Sequence, residues 1–462
     1  MSPFDMPPPA ARQELSLSAI IGALSYALDL TEGLPAGHSL RCCWIGMHVG
    51  EQLGMDNEAL SHLYYTLLLK DAGCSSNAAR LFELYGTDDH QVKRDFKQVD
   101  TDSMLRLGRF VLSHVGVGKS LHERVSRILK LAQNGEEFAT ELITTRCERG
   151  ARISLQLGFD EEVAAGIRCL DEHWNGRGKP ARLAGEAIPL ASRIALLAQV
   201  VEVFHSAEGQ AHVVKEVRRR AGSWFDPAVV DAFLQAQQEP GFWEGLDDTG
   251  LQSRIAAIEP ASKVVRIDED RLDTIAEAFA QVVDAKSHYT YGHSARVATY
   301  TEAVATRLGL SAGRVRWLRR GALLHDIGKL GVSNAVLDKP GRLEADEWAH
   351  VQAHAAYSEQ ILSRLDIFSE LAFVAAAHHE RLDGSGYPLG LVGDQICLEA
   401  QIVAVVDSFD AMTSDRVYRR AMSWEAALAE LEEGMGRLYN PQVVEALVEV
   451  LERKELDEEG VA

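Results

Sequence analysis

The chain has 462 residues, enough for about three domains of ordinary size, and 46% of them are hydrophobic, which is ample for large cores. A net charge of −21 argues against a nucleic-acid polymer or an anionic membrane as the main partner. No apolar run approaches the roughly 18 residues of a membrane span, and no secretory signal pattern opens the chain. Six cysteines without a CxxC spacing favour reduced thiols, so we expect a cytoplasmic protein.

Helical periodicity dominates the sequence. Residues 1–14 hold four prolines and are expected to form a flexible tail. Beyond them, apolar residues recur at spacings of three and four, as in 295–308, whereas the alternation typical of strands is scarce. The pattern predicts an all-α protein. Clustered glycines and prolines make 239–265 the best candidate for a linker, and 453–462 read as an acidic tail.

Motifs recur in the same order in the two halves of the chain. A Gly-His-Ser motif at His38 returns 255 residues later at His293. A Leu-Leu-Lys-Asp motif ending at Lys70-Asp71 returns at the same distance as Leu-Leu-His-Asp, ending at His325-Asp326. Ordered self-similarity of this kind indicates an internal duplication.

The offset between the copies changes along the chain. The segment from Glu172 to Pro180 matches the one from Glu380 to Pro388 at an offset of 208, not 255. The first copy therefore contains 47 extra residues between Asp71 and Asp171. We expect them to form helices around residues 85–140.

Histidine and aspartate residues are concentrated in the second copy. His325-Asp326 is followed by Lys329, and His378-His379 opens a glycine-rich segment that ends in Gly386-Tyr387-Pro388. Neutral imidazoles and a carboxylate are ligands for hydrolytic metals such as iron, manganese or zinc. Adjacent residues on a helix point about 100° apart, so the histidine pair fits two neighbouring metals better than one.

These motifs resemble the HD-GYP family of bacterial phosphohydrolases, whose members fold as helical bundles and hydrolyse cyclic dinucleotides, typically cyclic di-GMP. The resemblance implies two tandem HD-type bundles: a degenerate copy in 15–238, with a structural or regulatory role, and a catalytic HD-GYP domain in 266–452. It also implies a set of metal ligands, namely His293, His325, Asp326, His354, His378, His379 and Asp407.

The resemblance gives roles to these groups. Two divalent metals, iron or manganese, would polarise the phosphodiester and lower the pKa of a shared water. Asp326 is the natural bridge because a carboxylate has two oxygens. Lys329 lies one helical turn beyond it and is expected to act in catalysis with Asp326 and to bind a phosphate.

Further residues are expected to bind the substrate. In the family, basic residues at the positions of Arg416 and Arg419 contact phosphates or bases, which suits a guanidinium group. Gly386 and Tyr387 belong to a rigid turn that is expected to approach the ligand.

One position departs from part of the family. Some members carry a glutamate four residues before the first histidine and bind a third metal, whereas this chain has Tyr289 there. A two-metal site is therefore favoured, with His288 or Asp284 as alternative ligands for a third.

The first copy lacks most of these groups. Lys70 replaces the histidine of the His-Asp pair, and Leu170-Asp171 replaces the histidine pair. Arg146 and Gln199 stand opposite His354 and Asp407, so only His38 and Asp71 remain of the ligand set. Lys70 and Arg146 would also repel a cation, so we expect no catalysis in this copy.

The leading hypothesis is a metal-dependent phosphodiesterase that converts cyclic di-GMP to linear pGpG, and further to GMP. One alternative is hydrolysis of 3′3′-cyclic GMP-AMP, because some bacterial enzymes for that substrate also resemble a degenerate HD copy followed by an HD-GYP copy. The other alternative is a cyclic dinucleotide receptor without turnover. The expected partner is the cyclic dinucleotide substrate, and we expect no binding to a nucleic-acid polymer or a membrane. The sequence is compatible with a homodimer.

Overall fold

The computed structural model describes residues 17–459 except 102, 248–249, 261–266 and 417–418. Within those residues the chain is helical, with isolated β-bridges and no strand. The prediction of an all-α fold is confirmed. The predicted tail, residues 1–14, lies outside the described part of the chain.

The first half contains twelve α-helices in its described residues. They are α1 (Leu17–Thr31), α2 (His38–Gln52), α3 (Asn57–Leu69), α4 (Ala78–Tyr85), α5 (Asp89–Phe96), α6 (Met104–His114), α7 (Leu121–Gln156), α8 (Glu161–Arg168), α9 (Leu190–Glu208), α10 (Gln210–Arg220), α11 (Pro227–Ala236) and α12 (Leu251–Ala257). The extra residues predicted around 85–140 are indeed helical and form α5, α6 and part of α7, which together cover a small separate core with Tyr85 and Phe110.

The second half contains nine α-helices in its described residues. They are α13 (Glu269–Asp284), α14 (His293–Arg307), α15 (Ala312–Leu324), α16 (Asn334–Leu337), α17 (Ala345–Leu362), α18 (Ser369–Ala377), α19 (Leu398–Thr413), α20 (Trp424–Glu433) and α21 (Pro441–Glu459). A 3₁₀ turn, Ile327–Gly331, connects the end of α15 to α16. The predicted acidic tail, 453–462, is helical as far as Glu459.

Local sequence signals explain where helices begin. The side chain of Asp268 accepts a hydrogen bond from the backbone of Arg271 at 2.8 Å and caps the N-terminus of α13. Capping of this kind stabilises a helix by about 1 kcal/mol. Along α13, Leu272, Ile275 and Phe279 recur at spacings of three and four and are fully or almost fully buried, so one stripe of the helix faces the core.

The two halves repeat the same local structure at the helix that opens each copy. Gly37 and Gly292 precede α2 and α14 with positive φ angles of 85° and 70°. A buried aspartate then holds the first turn: Asp29 accepts from the Ser39 hydroxyl at 2.7 Å, as Asp284 does from the Ser294 hydroxyl at 2.6 Å. These matches at an offset of 255 support the predicted duplication.

The larger of the two hydrophobic cores runs through both halves, from Leu17 to Leu451. Helix α1 of the first half packs against α17 and the Ile327–Gly331 turn of the second half. The described part of the predicted linker is also packed: Phe242 and Ile255 are buried, and the Trp44 indole donates to the carbonyl of Phe242 at 3.0 Å. The stretch therefore adds to the first bundle, because its apolar side chains need cover from water.

Helix α9 is the one helix in the described residues that is long and apolar enough to cross a membrane. Within its apolar window, 67% of the residues are buried inside the bundle. A core helix of a helical bundle has these same properties.

Two glycines at corresponding positions allow the turn after each Lys-Asp or His-Asp pair to meet a neighbouring helix. A Cβ atom on Gly73 would lie 1.8 Å from the carbonyl oxygen of Arg146, and one on Gly328 would lie 2.0 Å from that of His354. Backbone cannot yield as a flexible side chain can, so any larger residue must separate the turn from the helix.

We predict that Gly73→Ala lowers the free energy of unfolding by about 1–3 kcal/mol or more, since the added methyl group collides with backbone. Gly135→Ala is the matched control. It lies within α7 with nothing near its Cβ, so alanine should stabilise the protein by up to about 1 kcal/mol. Chemical denaturation of the two variants provides the measurement, and equal effects would contradict this packing argument.

Candidate metal centre

The seven predicted ligands converge on one buried cluster in the second half. Helix α14 begins at His293, α15 ends just before His325-Asp326, and α18 ends just before His378-His379. Helix α17 contributes His354 and α19 contributes Asp407. All of these side chains are buried except that of His379, which is 17% exposed. The cluster thus lies where four helices and the turn after α15 meet.

The ligand atoms fall into two groups, each with atoms within 4.8 Å of one another. The first ligand group comprises His293, His325 and Asp407. The second ligand group comprises Asp326, His354, His378 and His379.

Asp326 lies between the two groups. Its Oδ2 atom is 3.4 Å from Nε2 of His293 and 3.3 Å from Nε2 of His325. Its Oδ1 atom is 3.4 Å from Nε2 of His354 and 3.8 Å from Nε2 of His378. One carboxylate therefore presents one oxygen to each group, an arrangement suited to bridging two cations.

Backbone hydrogen bonds orient three of the imidazoles. Nδ1 of His325, of His354 and of His378 each lies within hydrogen-bonding distance of the carbonyl oxygen three residues earlier, at 2.7 Å for His325 and 2.6 Å for His378. A proton on Nδ1 leaves the lone pair on Nε2, which points into the cluster. Metal-binding histidines are commonly fixed in this way.

His293 is oriented by a carboxylate to which the sequence analysis assigned no role. Its Nδ1 lies 2.7 Å from Oδ2 of Asp410, and Asp410 also accepts from Nε of Arg296 at 2.6 Å. Asp410 follows Asp407 by three residues, so both lie on one face of α19. This three-residue spacing was the signal in the sequence that could have pointed to Asp410.

The residues fit a divalent metal. Among the described residues, Nε2 of His293, Nε2 of His325 and Oδ1 of Asp326 are buried without a hydrogen-bond partner. A buried polar atom without a partner costs free energy, and metal coordination is the partner that such a donor set allows.

The charge states of the two groups differ. Burial lowers the pKa of His293 and of His325, but the neighbouring carboxylates outweigh it and raise these pKa values to about 10 and about 9. Burial dominates for His354 and His378 and lowers their pKa values to about 4 and about 3. At neutral pH the imidazoles of the second ligand group are therefore unprotonated, whereas His293 and His325 of the first ligand group are protonated.

Predicted substrate-binding residues lie at the exposed side of the cluster. Nζ of Lys329 contacts Oδ2 of Asp326. The ring centroid of Tyr387 lies 4.7 Å from that of His379, 6.4 Å from that of His354 and 6.1 Å from that of Trp348. Trp348 is 46% exposed, which is unusual for so large an apolar side chain, and the sequence analysis did not single it out.

Other predicted substrate contacts are less directly placed. A Cβ on Gly386 would lie 2.4 Å from Cα of Glu380, so this glycine is required for the loop to close on itself. Nη2 of Arg419 donates to the carbonyl of Ala411 at 2.9 Å, at the end of α19, and Arg416 pairs with Arg419 through backbone hydrogen bonds. Their roles in binding stay predictions.

None of the alternative ligands for a third metal belongs to either group in the described residues. The Asp284 carboxylate accepts hydrogen bonds from Ser294. His288 is 71% exposed and lies 3.8 Å from Glu83.

Comparison with known proteins places this geometry in a family. The model of the HD domain family matches residues 118–229 and 277–443. The chain is 49% identical over 441 residues to the 3′3′-cGAMP-specific phosphodiesterase 3 of Vibrio cholerae, covering 96% of each. The chain belongs to the HD-GYP family of HD-domain proteins.

A solved structure and one further relative agree with this membership. The crystal structure of a cyclic GMP-AMP specific phosphodiesterase of V. cholerae matches with a TM-score of 0.66 and 45% identity, covering 95% of this chain and 98% of that one. A cyclic di-GMP phosphodiesterase response regulator of Xanthomonas campestris is 41% identical over 184 residues, which is 39% of this chain and 48% of the relative.

In this HD-GYP protein, a lysine occupies the centre of the first copy's site. Nζ of Lys70 lies 2.9 Å from Nε2 of His38, contacts Asp71, and lies 3.4 Å from the side-chain oxygen of Gln199. These three partners correspond by offset to His293, Asp326 and Asp407. The ammonium group therefore lies between the counterparts of His293 and Asp407, from the first ligand group, and of Asp326, which faces both groups.

Other cations serve the rest of that site. Nε of Arg146 donates to Asp171 at 2.9 Å, and Nζ of Lys97 lies 2.8 Å from Glu32 and 4.0 Å from Asp71. Glu32, Asp71 and Cys74 lie close enough to hold a metal, but fixed cations already neutralise the two carboxylates.

We predict that metal binding by the first ligand group weakens steeply as pH falls. Below pH 9 a metal must displace protons from His293 and His325, so its affinity should drop by about a hundredfold per pH unit. The second ligand group should hold metal equally well at pH 8 and pH 6. Metal content after dialysis against a chelator at each pH provides the measurement.

His354→Ala provides the control, because it removes a ligand of the second group alone. Metal that remains in this variant should all be sensitive to pH. Equal loss of both metals between pH 8 and pH 6 in the unaltered protein would contradict the assignment.

Proposed function

We propose that this chain is a metal-dependent phosphodiesterase that hydrolyses 3′3′-cyclic GMP-AMP. The observation that carries the proposal is the pair of buried ligand groups joined by Asp326, which has the donors that a metal-dependent phosphodiesterase requires. The choice of substrate rests on whole-length similarity to an enzyme named for it. Relatives named for cyclic di-GMP match less than half of this chain, so our leading hypothesis of cyclic di-GMP hydrolysis is not confirmed and the alternative is favoured.

We assign the ligands as follows. The first ligand group would hold one divalent metal and the second ligand group another, with Asp326 shared between them; iron or manganese remains our expectation. When bound, such metals act as Lewis acids toward a phosphoryl oxygen and lower the pKa of water. Arg296 and Asp410 keep the His293 ring in place, and the backbone carbonyls do so for His325, His354 and His378.

Lys329 and the aromatic pair would bind the dinucleotide. The Lys329 ammonium group lies at the cluster and can pair with a non-bridging phosphate oxygen, which attracts the substrate's negative charge to this side. Tyr387 and Trp348 offer ring faces beside the metal ligands. Base stacking on such rings contributes about 1–3 kcal/mol, so Trp348 is our candidate for a nucleobase platform.

Turnover of the two cyclic dinucleotides tests the function. Full-length protein, loaded with Fe(II) or Mn(II) under reducing conditions, should open 3′3′-cyclic GMP-AMP to a linear dinucleotide with a higher kcat/KM than cyclic di-GMP. Asp326→Ala should abolish turnover and retain the helical circular dichroism signal, since apolar packing holds the bundle. Binding of both ligands without turnover would support a receptor instead, and preference for cyclic di-GMP would overturn the substrate assignment.

A second prediction concerns Trp348. If a base stacks on this ring, Trp348→Ala should raise KM by roughly 5- to 150-fold, which corresponds to about 1–3 kcal/mol. Trp348→Phe should recover much of the loss because it keeps a ring face. Metal content should stay unchanged in both variants. Wild-type KM in Trp348→Ala would mean that the indole is a surface residue without a role in binding.

A further inference from the structure

A buried carboxylate of the first half holds the backbone that follows the catalytic His-Asp pair. Asp89, the first residue of α5, has no exposed surface. Its Oδ1 atom accepts from the Ser333 hydroxyl at 2.9 Å and from the backbone N–H of Asn334 at 2.8 Å. These hydrogen bonds join residues 244 and 245 positions apart in the chain, so they cross between the two copies.

A buried lysine holds the same stretch from the other side. Nζ of Lys286 is 3.0 Å from the carbonyl oxygen of Leu330 and 2.9 Å from Nε2 of His90. The backbone carbonyl of Lys286 accepts from the side-chain amide of Asn334 at 2.7 Å. Lys286 is only 1% exposed, so it acts as an internal tether and not as a surface charge.

Charges reinforce the contact. Oδ2 of Asp89 lies 4.0 Å from the ammonium group of Lys286 and 3.9 Å from that of Lys93. Lys93 in turn donates to the carbonyl of Thr31 at 2.9 Å. Ion pairs taken out of water interact strongly, and removing one member leaves uncompensated charge inside the protein.

The tethered stretch adjoins the catalytic groups. Leu330 follows Lys329 directly and lies four residues after Asp326. At the near end of the turn, the N–H of Gly328 donates to the Ser358 hydroxyl at 2.9 Å. The backbone around Lys329 is therefore fixed on one side by α17 and on the other by Asp89 and Lys286.

We propose that Asp89 and Lys286 are positioning residues for hydrolysis of the cyclic dinucleotide, acting through the Leu330–Asn334 backbone on Lys329 and Asp326. The inference rests on the proposed function. Helix α5 lies in the region where the first copy is lengthened, so the inserted helix supplies a contact that completes the second copy's site. The inactive half thereby takes part in the reaction without touching the substrate.

Full-length variants test the proposal. Asp89→Ala should lower kcat by about tenfold, within the cost expected when a catalytic group is misplaced by a fraction of an ångström, with full metal content and little change in KM. Asp89→Asn keeps the accepting oxygen but loses the negative charge, so it should recover only part of the loss. Lys286→Met should behave like Asp89→Ala. In the metal-free protein, hydrogen–deuterium exchange across 327–337 should quicken in Asp89→Ala and Lys286→Met.

Asp95→Ala is the matched control. Asp95 is on the same helix, but its carboxylate contacts Arg94 and His114 of the first copy, so kcat and exchange across 327–337 should stay at wild-type values. Equal loss in Asp95→Ala would overturn the proposal in favour of general destabilisation of α5. Wild-type kcat and exchange in the folded Asp89→Ala and Lys286→Met variants would overturn it as well.

Failure of the proposed function gives a different result. In that case the unaltered protein hydrolyses neither cyclic dinucleotide, and a role in positioning for that reaction falls with it. Exchange across 327–337 in the metal-free variants would still report whether the tether exists.

Discussion

Both copies are organised around a carboxylate that is fully removed from water. Asp326 is 1% exposed and Asp71 is not exposed at all, and a buried charge is tolerated only where positive partners and hydrogen bonds compensate for it. Imidazoles, Lys329 and the proposed metals provide this compensation for Asp326. Lys70 and Lys97 provide it for Asp71. The surrounding helices, which are held by apolar packing, bring these partners to one point.

The two ways of compensating the buried carboxylate have different chemical consequences. An ammonium group on a side chain satisfies the charge of Asp71, but it has no open coordination position and cannot lower the pKa of water as a metal does. The first copy can therefore keep its fold while losing the chemistry. Its remaining polar frame is intact: Glu202 receives His38 and Arg41 as Asp410 receives His293 and Arg296. Helical packing was retained because the core is continuous between the copies.

The spacing of residues along the sequence predicted the features that depend on local sequence, namely the helices and the order of the motifs. The all-α fold followed from periodicity, the matching offsets indicated the duplication, and the resemblance to the HD-GYP family supplied the seven predicted ligands. Asp410 was missed because two carboxylates three residues apart on one helix do not reveal which one faces the metals. The pairing of Asp89 with Asn334 was not predicted, since motifs and spacing in one sequence do not reveal a contact between residues 245 positions apart. The predicted preference for cyclic di-GMP was not confirmed, because it rested on the metal ligands, which do not contact the bases.

The contact of Asp89 and Lys286 with the Leu330–Asn334 backbone gives a physical reason for the first half, in which we expect no catalysis, to be retained. A shared core alone would accept many apolar substitutions of similar volume, and would fix the second copy only loosely. The buried charges of Lys286, Lys93 and Asp89 accept far fewer substitutions, since the loss of any one of them leaves the others without a partner in an interior of low dielectric. Because Lys286 and Asp89 hold the Leu330–Asn334 backbone, residues in the first copy's own site can be substituted without disturbing that contact. Loss of the whole first copy would remove it. The presence of Lys70 and Arg146 in place of metal ligands is compatible with this constraint, because neither residue takes part in the contact that Asp89 and Lys286 make with the second copy.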